Sequence, residues 1–182
     1  RPGVHDRDRG IAAGGPPGAG DVAVVNVANP QLNTDTTILG LNQGGGTLSG
    51  TGTLTVTGPS TWTAGTHTGT GTTQFNGTLA ISGAGTKSIT GGRVVSAANI
   101  TSWSGNTANN NNTISIAATS AFNNSGTFTD ANVFASTISG GTFNNSTTFN
   151  KTSATTTTIS SVFNNTGTVN VDAGTMLMQA GG

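Results

Sequence analysis

Ile116-Ala-Ala-Thr-Ser-Ala-Phe122-Asn-Asn-Ser-Gly-Thr-Phe128 is followed by Ile138-Ser-Gly-Gly-Thr-Phe143-Asn-Asn-Ser-Thr-Thr-Phe149 and then by Ile159-Ser-Ser-Val-Phe163-Asn-Asn-Thr-Gly-Thr-Val169. The first apolar member recurs after 22 and 21 positions, the second and third each after 21 and 20. Three ranks, Ile116/Ile138/Ile159, Phe122/Phe143/Phe163 and Phe128/Phe149/Val169, thus share one period of about 21 residues, the mark of a stacked repeat. Each unit holds too few large apolar residues to bury a core alone, so successive units must stack on one another. Alternation around the anchors is short, as in Thr127-Phe128-Thr129 and Thr168-Val169-Asn170-Val171, and predicts brief strands with one face buried. Gly, Thr, Asn and Ser are poor helix formers, and no 3.6-residue stripe is present. The expected fold is all-β: a parallel β-solenoid with coils of about 20–27 residues, three short strands to a coil, stacked at roughly 4.8 Å.

The Asn pairs after the second anchor mark a corner. Asn tolerates left-handed backbone and bonds to nearby backbone groups, which a sharp bend requires. Stacked in register, one Asn of each pair, Asn124, Asn145 and Asn165, is expected to form a side-chain amide ladder.

Upstream, the 182-residue chain divides into a Gly/Pro/Ala-rich arm at residues 1–20, a first coil or cap at 21–45, and solenoid coils over 46–182, most regular at 113–172. The arm holds Arg1, Arg7 and Arg9, half of the six basic residues, and reads as a flexible linker or as a segment that docks on a neighbouring subunit. Gly52-Thr-Leu-Thr-Val-Thr-Gly58 matches Gly77-Thr-Leu-Ala-Ile-Ser-Gly83 at an offset of 25, and Thr61–Gly65 matches Ser88–Gly92 at 27, so longer coils are expected there. Inward candidates are Leu48, Leu54, Val56, Trp62, Phe75, Leu79, Ile81, Ile89 and Val94 or Val95. The Asn run at 106–112 reads as a protruding loop. Both ends of the sequence read as cuts through a longer protein.

Only 7% of residues are charged, Glu and Tyr are absent, and the formal net charge is zero. No basic excess is available to neutralise phosphates, so nucleic acid is not an expected partner. No apolar run reaches the roughly eighteen residues of a membrane span. With no cysteine, disulfides do not hold the fold.

Chemistry-bearing residues are sparse. The histidines are His5, in the arm, and His67, expected to face solvent. The acids beyond the arm (Asp21, Asp35, Asp130, Asp172) do not fall at matching places in adjacent coils, so the clustered carboxylates of a glycan-cleaving β-helix are not expected. No catalytic residue, cofactor or metal ligand is assigned, and the chain is not expected to be an enzyme.

The runs 46–58, 83–92 and 163–171 resemble bacterial β-solenoid surface proteins of the filamentous-haemagglutinin or autotransporter-passenger type. The resemblance is compositional and points to no single family. It implies a right-handed parallel β-helix, export to the cell surface, and a role in adhesion, matrix or filament formation without catalysis. The expected function is therefore structural: a subunit stacking end to end with copies of itself, or the rod of a longer chain stacked on neighbouring segments. Two alternatives stand beside it. An adhesin-type module would recognise a glycan or surface through Trp62, Trp103 and the Asn-rich loop at 106–112, which requires the indoles to be exposed. Ice binding would need the same Thr-x-Thr triplet in every coil, whereas the rank at Thr127/Thr129 changes to Thr148/Asn150 and Thr168/Asn170.

Overall fold

The computed structural model describes residues 4–5, 17–105 and 112–180; Arg1, Arg7, Arg9 and the Asn run at 106–111 lie outside them. Twenty-one strands are formed and every strand pairing is parallel, with no helix among the described residues. The chain is a β-solenoid. Each full coil has three sides.

Face 1 stacks Val22–Val25, Gly40–Gln43, Ser60–Trp62, Leu79–Ile81, Thr101–Trp103, Thr127–Asp130, Thr148–Lys151 and Thr168–Val171, with the short strand Val4–His5 added at its N-terminal edge. Face 2 runs from Thr47–Leu48 through Gly65–His67 and Lys87–Ile89 to Thr156–Ile159 and Thr175–Met178. Face 3 runs from Thr36–Ile38 through Leu54–Val56, Thr72–Phe75 and Val94–Ala97 to Val162–Asn165. Two long strands, Asn112–Asn124 and Ser136–Asn145, turn the corner between faces 2 and 3 without a break, with a register shift between Ile116 and Ala121. Gly140 stands at that corner with φ 71°, where an added Cβ would meet the Ile116 carbonyl oxygen at 2.2 Å. Only glycine tolerates both the left-handed backbone and the close approach.

Period-two alternation explains the core. In Thr127–Asp130 and Thr148–Lys151 the second and fourth residues point inward and the others outward. All of the inward candidates are buried except Val94, whose neighbour Val95 takes the inward place. Phe122, Phe143 and Phe163 pair in one rank, as do Phe128, Phe149 and Val169.

The isoleucine rank differs from expectation. Ile138 and Ile159 pair with each other, but their partner in the preceding coil is Ile114, while Ile116 faces Gly140. Ile114-Ser-Ile116 offers two equivalent inward positions. The corner after it holds extra residues at 117–120, which move the true match back by two.

The upstream coils also differ. Along face 3 the paired positions Thr36, Leu54, Thr73, Val95, Phe122, Phe143 and Phe163 give coils of 18, 19, 22, 27, 21 and 20 residues. The first coils are thus shorter than the downstream ones, not longer. The offset of 25 matches a strand of face 3 (Leu54–Val56) to one of face 1 (Leu79–Ile81). Thr-Leu-Thr alternation suits any half-buried strand, so similarity alone does not keep faces apart. Only the coil that contains residues 106–111 reaches 27.

Candidate functional site

Each Phe-Asn-Asn segment ends a face-3 strand, so its two Asn side chains point to opposite sides. Both sets form ladders. On the inner side Asn124 Nδ2 donates to Asn145 Oδ1 (2.7 Å), and Asn145 Nδ2 donates to Asn165 Oδ1 (2.7 Å). The same two amides also donate to the backbone oxygens of Thr148 (2.9 Å) and Thr168 (3.1 Å), tying each corner to the next coil's face-1 strand. On the outer side the direction is reversed: Asn144 Nδ2 donates back to Asn123 Oδ1 (2.7 Å), and Asn164 Nδ2 to Asn144 Oδ1 (2.9 Å). A third contact of that sense joins Asn170 Nδ2 to Asn150 Oδ1 (2.9 Å) on face 1. Asn124 and Asn145 are buried and Asn165 is exposed.

The ladders arrive unfinished at the C-terminal end. Asn165 Nδ2 turns back to the carbonyl of Gly167 (3.0 Å) instead of reaching a following coil. Among the described residues nothing donates to Asn164 Oδ1 or Asn170 Oδ1, whose amide nitrogens donate back to Asn144 and Asn150. The strands Val162–Asn165, Thr168–Val171 and Thr175–Met178 each pair on one side only. Val171 and Met178, which pair with the inward positions Lys151 and Ile159, are 48% and 43% exposed. At the opposite end Val25 and Ile38 are buried, and Val4–His5 occupies the edge of face 1. The two ends are chemically unlike.

Polar and charged groups expected at the surface are found inside. His67 is fully buried rather than solvent-facing. Its strand, Gly65–His67, places it inward between Leu48 and Ile89, edge-on to Trp62 at 4.7 Å. Its Nδ1 lies 3.0 Å from Thr73 Oγ1, and burial, followed by the nearby Arg93 charge, lowers its pKa to about 3. Arg93 is buried too: it donates to Thr73 Oγ1 through Nε (3.3 Å) and one terminal nitrogen (3.0 Å), and to the carbonyls of Gly50 (3.2 Å) and Thr72 (3.0 Å). Lys87 donates to the Gly83 carbonyl at 2.7 Å, and burial lowers its pKa to about 8. Lys151 lies next to Asp130 in the face-1 rank and donates to the carbonyl and hydroxyl of Ser153, both at 2.9 Å. Burial lowers its pKa, and the Asp130 charge opposes that shift. The basic residues beyond the arm are therefore core groups, not charged guards of the surface.

Asp130 accepts from the backbone and side-chain nitrogens of Asn132 (3.1 and 2.7 Å) and from the Thr157 hydroxyl. Among the described residues no group of three His, Cys, Asp or Glu side chains could hold a metal ion. Trp62 and Trp103 are both buried, at 1% and 0% exposure, which removes them as exposed platforms for a sugar ring. Face 2 carries an outward column that Thr-x-Thr counting passes over. Thr86-Lys-Ser88, Thr113-Ile-Ser115, Thr137-Ile-Ser139 and Thr158-Ile-Ser160 stack in four successive coils, then give way to Leu177 and Gln179.

Comparison with known proteins returns no match: no family model, no curated protein and no solved structure is similar to the chain. The buried cations had no signal in the sequence. The Asn ladders did, in the repeated Phe-Asn-Asn.

Proposed function

We propose that the protein is a non-catalytic structural rod of the bacterial cell exterior, and that its C-terminal end receives a further β coil. The observation that carries this reading is the uncapped end, where Val171 and Met178 lie exposed above three half-paired strands. Open strand edges invite pairing with another chain, and an apolar cross-section adds burial to those backbone bonds. A surface with few charges at zero net charge favours such association. The extracellular setting rests on the compositional resemblance described above. Adhesion through exposed indoles loses its support, since both are core residues.

Electron microscopy of material isolated from its source tests the reading. The nine strands of face 1 span roughly 40 Å at the usual strand spacing. Rods or fibres several times that length are expected, with protease accessibility on intact cells. Single particles of that length, or protection inside the cell, would overturn it.

A further inference from the structure

We infer that the coil received at the C-terminal end is of the Asn-ladder type, a Phe-Asn-Asn corner followed by a face-1 strand with an outward Asn, and is not the N-terminal end of a second copy. The inference rests on the proposed docking role of that end and specifies its partner.

Polarity sets the requirement. The inner ladder runs forward: Asn145 Nδ2 has two acceptors, Asn165 Oδ1 and the Thr168 carbonyl, whereas Asn165 Nδ2 has only the Gly167 carbonyl and can take a second in the next coil. The outer ladder and the face-1 contact run backward, so Asn164 Oδ1 and Asn170 Oδ1 need donors. An incoming coil must therefore supply an amide oxygen at the inner corner, and an N–H group at the outer corner and again on face 1. Asn meets each demand, having both donor and acceptor on one side chain.

The first coil of this chain meets only one of them, through the Thr37 hydroxyl. The inner-corner rank reads Ile38, Val56, Phe75, Ala97, Asn124, Asn145, Asn165 from one end to the other. Ile38 would thus lie against Asn165 and offer its amide no acceptor beyond the Gly167 carbonyl it already has. Thr37 would meet Asn164, and Val24, first in the face-1 rank that ends at Asn170, would meet that side chain. The face-1 edge at that end is also already paired with Val4–His5. An end-to-end stack of identical copies would break the inner and face-1 ladders and displace a strand.

The test extends the full chain by one coil, repeating residues 161–180 directly after Ala180, which keeps the period of 20 between Phe143 and Phe163. A companion carries the same added coil with Leu in place of the copies of Asn164, Asn165 and Asn170. Hydrogen exchange is read at the amides of Val162–Asn165 and Thr168–Val171. The Asn coil is expected to slow exchange there at least about tenfold more than the Leu coil, the effect of one or two hydrogen bonds. Equal protection by the two coils, or greater protection by Leu, would overturn the ladder requirement while leaving the docking role intact. No protection by either would overturn the docking role itself. A further check adds Asn165→Leu to both extended chains; the advantage of the Asn coil should then fall, and its persistence would also count against the inference.

Discussion

From Phe122 onward the phenylalanine and asparagine ranks lay like on like, whereas before it almost no inward position keeps its residue type from coil to coil. Phe122, Phe143 and Phe163 stack with near-parallel rings 5.1 and 5.6 Å apart, and Phe128 and Phe149 do so at 5.0 Å. The two columns meet edge to face, as Phe128 does against Phe143 at 5.4 Å. Upstream the same face-3 rank reads Leu54, Thr73, Val95, and a face-1 rank reads Gln43, Trp62, Ile81, Trp103, continuing unlike through Asp130 and Lys151 to Val171. There the interior is filled by unlike neighbours: Arg93 bonds to Thr73 and to backbone oxygens, and His67 bonds to Thr73 through Nδ1 while its Nε2 has no partner among the described residues. A solenoid core needs only that each coil fill the space left by the last. Repetition is one solution and complementary substitution is another.

The sharpest way to break this comparison is to remove one ring from the repeated half. Phe143 contacts four other phenylalanines, so Phe143→Ala empties the centre of both columns. A loss of about 3–5 kcal/mol is expected by chemical denaturation. Val95→Ala, in the same rank upstream, should cost less because a smaller side chain is removed. Equal losses would mean that the aromatic columns add nothing beyond ordinary filling.

The unlike half carries an acid-side pH dependence through His67. In the unfolded chain His67 takes up its proton near 6.5, but in the folded chain only near 3. Between those values the unfolded state binds more protons, so stability falls as pH falls, by up to about 1.4 kcal/mol per pH unit. His67→Gln should flatten that part of the stability curve, and an unchanged slope would show that the buried imidazole is not its source. The same sign holds for Lys87, whose lowered pKa of about 8 makes stability rise with pH between 8 and 10.5.

These halves were not equally legible. Where like stacks on like, the period is printed in the sequence, and the Phe ranks and the Asn corner follow from it. The slip at Ile116 came from two equivalent isoleucines before a corner of variable length. Where unlike residues stack, nothing recurs, and Thr-rich alternation looks the same on every face. That is why the upstream coils read too long, why His67 read as a surface group, and why nothing marked Lys87, Arg93 and Lys151 for the interior. Their burial depends on carbonyl and hydroxyl partners in other coils, such as Gly50 for Arg93, 43 residues away. Such partners leave no local mark.

The ladders allow a finer cut within the repeated half. Asn145 is buried, accepts from Asn124 and donates to Asn165 and to the Thr168 carbonyl. Asn145→Leu therefore strands polar groups in the interior, and about 1–3 kcal/mol should be lost.

Asn144 makes the same kind of contacts one position earlier, donating to Asn123 and accepting from Asn164, but on the partly exposed outer side. Water can replace either partner there, so Asn144→Leu should cost no more than about 1 kcal/mol. The pair of variants separates two accounts of the Asn-Asn corner. If amide stacking itself supplies the stability, both losses will be alike, since both ladders have bonds of similar length. If burial sets the value of each bond, the inner variant will lose clearly more. The geometry favours the second account, because the inner amides alone also clamp the backbone of the following coil.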